Sequence, residues 1–411
     1  MTLSVLQVNS SDVGGGAEAV ALALHRAYRS RGIDASLVVG HMHTEEEGVI
    51  AIGAERSPRS RSLRDPRVAL DIARGREDFR FPASRAVLGL SPGAPGILHL
   101  HNLHGAYFDL RALPALVAPQ PTVVTMHDEW LYTGHCAYTV GCERWQTGCG
   151  SCPHLDVYPA LRVDGTAGNR ERKAALYERA RLHVVAPSAW LLERAQRSIL
   201  APAIASARVI PNGINLALFS SGDRDGARTQ LDLPHDARVL VFAAQGVRTN
   251  PYKDFPTLRA ALELVGTTTG PAVVAIALGE QGEEERLGRV TLRSEPFVEP
   301  EQVTAYLRAT DVYVHATRAD NHPLAVLEAL ACGVPVVAAR VGGIPEQVTA
   351  ETGMLVEPND PKALTRAIEA LTDDPERRSR MGEAAARDAR ARFGLERQVE
   401  AYLDLYRELA G

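Results

Sequence analysis

Short runs of branched and apolar residues recur along the chain, each followed by residues with helical spacing. The first half carries LSVLQVNS (3–10), ASLVVGH (35–41), ILHLHNLHG (97–105) and TVVTMHDEW (122–130). The second carries RVLVFAA (238–244), AVVAIAL (272–278), VYVHA (312–316), VPVVAA (334–339) and GMLVEP (353–358), with EPFV (295–298) at a further strand end. Such runs suit strands buried on both faces of a parallel sheet, and strand alternating with helix defines an α/β chain. At 411 residues, with roughly 150 residues per domain as the prior, two or three domains are expected. Pro211-Asn212-Gly213, within ARVIPNGINLALF, supplies a stiff approach and a turn, and marks the hinge. Hydrophobic residues at 45% and charged ones at 23% describe a globular protein. The net charge of −5 gives no reason to expect nucleic acid as a partner. No apolar run approaches the roughly 20 residues of a membrane span, and MTLSVLQVNSSD lacks the basic start of a signal peptide. The expectation is a cytoplasmic chain, with peripheral attachment at the inner face of the membrane left open.

The stretch Ala316 to Glu346 holds the densest chemistry. Asp320 precedes Glu328 by eight positions, with Asn321-His322-Pro323 between them. Proline favours the first turn of a helix, so Pro323 marks a helix start after the VYVHA strand. Asp320 then lies on the loop and Glu328 on the helix. Free amides and the positive end of the helix dipole make a phosphate seat there. A carboxylate on either side can grip hydroxyls of two sugars flanking a diphosphate. An ordinary strand–helix unit with incidental carboxylates is the alternative.

This segment resembles the donor-binding motif of retaining GT-B glycosyltransferases of family 4, in which two glutamates are separated by seven residues. The family usually opens the motif E-(G/N)-F-(G/P); here Asp320-Asn321-His322-Pro323 substitutes a shorter acid and a histidine for an aromatic. Gly342-Gly343-Ile344-Pro345-Glu346 follows at the family's spacing. The resemblance implies two Rossmann-like domains facing across a cleft: an acceptor domain, 1–210, completed by a returning helix, 393–411, and a donor domain, 211–392. It also implies transfer of a hexose-type sugar from a UDP- or GDP-sugar to a saccharide or lipid-linked hydroxyl, with retention at the anomeric carbon. Glu328 is expected on the ribose and Asp320 on the transferred sugar. Main-chain groups of Asn321, His322, Pro323, Leu324 and Ala325 are expected around the sugar and phosphates.

Only Lys173, Lys253 and Lys362 are lysine among the 45 basic residues, so a retained lysine hints at a site suited to a compact ammonium. Lys253 lies in QGVRTNPYKDF, five residues after Arg248. The family places such a pair on the donor diphosphate, where charge develops as the nucleotide leaves; a solvated loop with two cations is the alternative. Gly14-Gly15-Gly16 after the first strand is not spaced as a dinucleotide fingerprint, and Val38-Val39-Gly40-His41 lacks the ribose-binding acid. By resemblance, Gly15 and Gly16 approach the donor phosphates or reacting sugar; a structural turn is the other reading. From Arg56 to Arg80 there are eight arginines, read either as an anionic-lipid contact or as a solvated face interrupted by Asp65, Asp71, Glu77 and Asp78.

Histidines cluster where two strands end. Strand carboxyl ends in open α/β sheets face the ligand crevice. His127 matches the family's histidine beside the donor sugar and acceptor, with a positioning and electrostatic role; a leaving phosphate oxygen can itself take the acceptor proton. His101, Asn102 and Asp128 are acceptor-side candidates, Asp128 either holding the His127 imidazole or touching the acceptor. There is no compelling D-x-D clamp, so no catalytic metal is expected.

Four of the five cysteines, Cys136, Cys142, Cys149 and Cys152, fall within GHCAYTVGCERWQTGCGSCPH. Four thiolates suit a closed structural zinc site, and reducing surroundings favour metal over disulfide; free thiols and disulfides are the other readings. A branch of the family engaged in bacterial polysaccharide assembly, including enzymes of colanic acid synthesis, carries a similar stretch after its histidine. Its position suggests a stapled acceptor loop. Competing functional readings are a nucleotide-sugar epimerase, a non-catalytic nucleotide-sugar-binding subunit and a natural-product glycosyltransferase.

Overall fold

Among the described residues fourteen strands sort into two sheets of seven, and most of them grow from continuous apolar runs. The structure, a computed structural model, describes residues 3–53, 65–77 and 80–411. The chain divides into two units, residues 1–210 with 399–411, and residues 211–398.

Unit 1 is built on β1 (Ser4–Ser11), β2 (Asp34–His41), β3 (Val49–Ala51), β4 (Ile97–Leu100), β5 (Thr122–Thr125), β6 (Leu182–Ala186) and β7 (Ile204–Val209). All neighbours are parallel, in the order β3-β2-β1-β4-β5-β6-β7. The strand order reverses between β1 and β4, and ligands of such sheets bind at that point, outside the carboxyl ends. Its main core joins Leu6, Val8, Leu98, Leu100, Val124 and Trp130. The last helix, Leu395–Ala410, contributes Tyr402 and Tyr406 to this unit. Their hydroxyls bond Thr125 Oγ1 at 2.7 Å and His99 Nδ1 at 2.6 Å.

Unit 2 contains β8 (Arg238–Ala243), β9 (Val273–Leu278), β10 (Glu285–Leu287), β11 (Val290–Glu295), β12 (Val312–His315), β13 (Val336–Ala339) and β14 (Gly353–Val356). Its order is β10-β11-β9-β8-β12-β13-β14, parallel except for the β10–β11 hairpin. The reversal here lies between β8 and β12. Packed apolar clusters around Val239, Tyr313 and Leu330 and around Leu240, Val314 and Leu262 fill the unit. At Asn212-Gly213 the chain runs against residues 393–395, with Ile214 N donating to Phe393 O and Leu395 N to Ile214 O, both at 2.9 Å. A Cβ on Gly213 would lie 2.7 Å from Leu395 Cα, so the approach requires glycine.

Part of the arginine-rich segment is self-neutralised. Asp71, buried on the helix Pro66–Ala73, takes Arg80 at 3.0 Å and Arg76 at 3.8 Å, and Asp65 takes Arg67 at 3.1 Å. Arg56, Arg59, Arg61, Arg64 and Asp78 lie outside the described residues. No helix among the described residues is long and apolar enough to cross a membrane.

Candidate functional site

The β8/β12 reversal gathers the charged residues of unit 2. β12 ends at His315, and the following loop is pinned to the loop after β8. Thr317 pairs with Lys253, Arg318 N donates to Tyr252 O at 2.8 Å, and Asp254 N donates to Ala316 O at 3.2 Å. This register places Lys253 Nζ 2.6 Å from Asp320 Oδ2. His315 Nε2 reaches the same oxygen at 3.1 Å, and Asn321 N donates to Oδ1 at 3.0 Å. Burial by itself would push the Asp320 carboxyl up, but the Lys253 ammonium and the His315 contact outweigh it and hold it well below the usual range. Burial, then the Lys253 charge, lowers His315, so its ring is neutral and its Nε2–H donates.

Just beyond, the helix Leu324–Ala331 begins with no side-chain cap, Pro323 occupying the cap position. The first-turn amides therefore have no acceptor within the helix. Glu328 follows on that helix, and burial pushes its carboxyl up to about 7; its side stays partly open to solvent, so a ligand can still reach it. The Tyr313 hydroxyl on β12 is fully buried. Burial, then the Glu328 charge, raises its pKa.

The two cations expected together are engaged separately. Arg248 Nη2 donates to Glu285 Oε1 at 2.8 Å, its guanidinium lies 4.8 Å from the Phe255 ring, and its amide donates to Glu280. His322 fills the space of the family's aromatic residue by packing: its ring meets Phe393 edge-on at 5.6 Å and its Nδ1 lies 3.1 Å from Gln347 Nε2. Burial lowers it to about 3. Its carbonyl accepts from Asn212 Nδ2 at 2.9 Å.

In unit 1, β1, β4 and β5 bring Gln7, His101 and His127 together. His101 Nδ1 lies 2.9 Å from His127 Nε2, and His101 Nε2 lies 3.0 Å from Gln7 Oε1. Burial lowers His127 to about 4 and His101 well below its ordinary value. Asp128 Oδ2 pairs with His104 Nε2 at 2.7 Å, and Oδ1 accepts from Trp130 N. Asn102 N donates to Asn9 Oδ1 at 3.3 Å, and its carbonyl accepts from Tyr107. At the glycine loop, Gly15 N donates to Glu18 Oε2 at 3.0 Å, while Ser10 holds Oε1. The helix Gly16–Ser30 thus carries its own cap at Glu18.

The segment after β5 is stapled by buried carboxylates. Glu129 accepts from Tyr132, from Thr139 N and Oγ1, and from Arg194 Nε at 2.8 Å. Lys173, fully buried, lies 3.0 Å from Glu77 Oε2, donates to Trp130 O and Thr133 O, and sits 3.6 Å from the Trp130 ring. Lys173 is thus a second place where a compact ammonium is needed. The four thiols and His135 line one pocket with Trp145 and Thr139. Cys152 Sγ lies 3.5 Å from His135 Nε2. Among the described residues no three His, Cys, Asp or Glu side chains are grouped as a metal-ligand set. The expected four-thiolate zinc is therefore unsupported.

Gln7 carries no local sequence signal for this role, because its partner His101 comes from a distant segment; for Lys173, whose partners are also distant, the rarity of lysine is the one hint.

Two family models match, Glycosyltransferase Family 4 over residues 14–218 and Glycosyl transferases group 1 over residues 223–388. WcaC of Escherichia coli, a glycosyl transferase provisionally assigned to colanic acid biosynthesis, is 26% identical over 435 residues, covering 99% of this chain and 100% of that protein. D-inositol 3-phosphate glycosyltransferase 1 of Catenulispora acidiphila is 37% identical over 211 residues, 47% of this chain and 50% of that protein. The latter match thus spans about half of each chain. Among solved structures, sucrose-phosphate synthase from Thermosynechococcus elongatus superposes with a TM-score of 0.71 at 20% identity, covering 99% of each chain. Anabaena HepE in complex with UDP-glucose superposes with a TM-score of 0.65 at 20% identity, covering 98% of this chain and 99% of that one. At these identities the structural likeness concerns the fold.

Proposed function

The chain belongs to family 4 of the GT-B glycosyltransferases, and from that premise we propose that it moves a hexose-type sugar from a UDP-sugar to an acceptor hydroxyl, with retention at the anomeric carbon, in polysaccharide or glycolipid assembly. The observation that carries this reading is the Asp320–Lys253 pair set at the uncapped start of the helix Leu324–Ala331, with Glu328 further along it. The diphosphate lies against the first-turn amides, Glu328 accepts from the ribose hydroxyls, and Asp320 accepts from hydroxyls of the transferred sugar. Lys253, paired with Asp320 before the donor arrives, turns to the phosphates, and Arg248 leaves Glu285 to join it. Uridine is favoured by the UDP-glucose held by the Anabaena fold neighbour, and polysaccharide assembly by the full-length likeness to WcaC.

His127 stands beside the reacting sugar. A leaving β-phosphate oxygen takes the proton of the acceptor hydroxyl as the C–O bond to phosphate breaks and the new glycosidic bond forms on the same face. Lys253 and Arg248 stabilise the charge that grows on that oxygen. Family membership favours transfer over the epimerase reading. Incubation of the protein with UDP-, GDP- and dTDP-sugars, with donor consumption followed, tests the proposal: UDP-hexose consumption dependent on an acceptor supports it, and consumption without acceptor that yields only an isomeric donor overturns it.

A further inference from the structure

Two buried side-chain amides hold the turn that leads into the helix Leu324–Ala331. Asn212 Nδ2 donates to His322 O at 2.9 Å, and Gln347 Nε2 donates to Pro323 O at 3.2 Å. Gln347 closes the short helix Ile344–Gln347 and is 0% exposed. Its Nε2 also lies 3.1 Å from His322 Nδ1, whose ring rests edge-on against Phe393. The turn is thus held from the buried side, while Pro323, Leu324 and Ala325 stay partly open.

The orientation of the Gln347 amide follows from its partner. Pro323 O is a carbonyl and can only accept, so the group 3.2 Å from it is the NH2 end. Turned over, Oε1 would face Pro323 O, and two N–H groups would be buried where Oε1 now lies without a partner. The two anchored carbonyls differ in what they control. The peptide after His322 carries no hydrogen, because its nitrogen belongs to Pro323, so Asn212 fixes the turn without aiming an amide. The peptide after Pro323 carries the Leu324 N–H. In a planar trans peptide C=O and N–H point in opposite directions, so holding Pro323 O turns that N–H away from Gln347, toward the partly open side. A carbonyl that accepts also strengthens the donor across the same peptide. Leu324 opens the helix, so its N–H has no acceptor within it.

We propose that Gln347 is a positioning residue of the donor site, which aims the Leu324 amide at the donor phosphate by holding the Pro323 carbonyl. The inference rests on the reading that the diphosphate seats on this helix start. It adds a side chain from the next strand–helix unit, 24 positions along the chain. Gln347 touches no ligand itself. Its effect falls on the phosphate part of the donor and not on the base.

The test compares UDP with uridine on the full chain, by titration calorimetry and by amide NMR with nitrogen-labelled leucine. In the parent chain the Leu324 amide proton should move downfield with UDP and stay in place with uridine. Gln347→Met keeps the length of the side chain and removes its hydrogens. Its affinity for UDP should fall about fivefold, the worth of one hydrogen bond, with affinity for uridine unchanged. The movement of the Leu324 proton on adding UDP should shrink as well. Equal losses for both ligands would mark a merely structural role and overturn the proposal, as would full UDP affinity in the folded variant. Gln347→Glu has the same shape, but its ionised carboxylate cannot donate; it should show the same split, and decides the matter if the methionine variant fails to fold. A Leu324 amide in the parent chain that ignores bound UDP would instead remove the phosphate seat itself, and the role of Gln347 with it.

Discussion

Replacing Lys253 by methionine removes the ammonium 2.6 Å from Asp320 Oδ2 and strands a carboxylate whose side chain is 13% exposed. Breaking a buried pair from one side costs about 3–5 kcal/mol. His315 and the Asn321 amide still bond Asp320, so the lower end, about 3 kcal/mol, is expected. Asp320→Asn leaves an ammonium that is 20% exposed and can turn to water, at about 1 kcal/mol. The double variant leaves no orphaned charge and should also cost about 1 kcal/mol, giving a coupling of roughly 3 kcal/mol in the cycle. Hydrogen exchange at the amides of Val312–His315 reads this locally, without assuming that both units unfold in one step.

The pH dependence supplies a second check. In the parent chain the Asp320 pKa is depressed, so its contribution is present above the unfolded value of 3.8 and is lost as pH falls through the lower folded value. In Lys253→Met, burial dominates and the folded pKa rises. The variant's deficit should then shrink as pH is lowered from about 8 to about 5. Turnover should fall about a hundredfold or more in Lys253→Met and should not return in the double variant. Additive losses in the cycle, or a deficit that grows on acidification, would refute the account of this pair.

Glu328→Ala should weaken nucleoside diphosphate binding, while Asp320→Ala mainly lowers turnover; calorimetry and donor consumption separate the two. The raised pKa of Glu328, about 7, means that its effect on the free protein favours folding below the unfolded value of 4.5 and is lost as pH rises through about 7. Nucleotide that needs the ionised form should therefore bind more tightly as pH rises from about 6 to 8, with proton release near neutrality visible in buffers of different ionisation enthalpy; a flat profile would remove Glu328 from the ribose. Burial pushes the Cys136 thiol up to about 12, so its alkylation at pH 8 should be at least about tenfold slower in the folded chain than in denaturant, because only the thiolate attacks. Gly213→Ala drives a methyl to 2.7 Å from Leu395 Cα and should destabilise unit 2 by about 1–3 kcal/mol, read by urea unfolding; an unchanged midpoint would refute the close-approach argument.

The parallel strands were legible because strands covered on both faces need unbroken apolar runs, as VVAIAL and VVAA supply. The β10–β11 hairpin was not: ERL and VTLRSE mix charge with apolar residues at a sheet edge, where one side meets water. The Asp320–Glu328 spacing was readable because a loop and the helix after it keep sequence neighbours together. The row from Gln7 to His127 was not readable, since its members are separated by 94 and 26 positions and meet only through sheet register. Closeness along the chain brings the four thiols to one pocket, but ligation also needs them aimed at one point, and spacing alone does not carry that.

In the proposed reaction a nucleoside diphosphate seats on the start of the helix Leu324–Ala331 between Asp320 and Glu328. Hydrogen–deuterium exchange of the full chain with and without saturating UDP tests it most directly, with GDP and dTDP run in parallel. Strong protection of the amides of residues 321–326 and of the loop from Arg248 to Lys253 is expected. Protection confined to other segments, or none there with any nucleotide that binds, would contradict it.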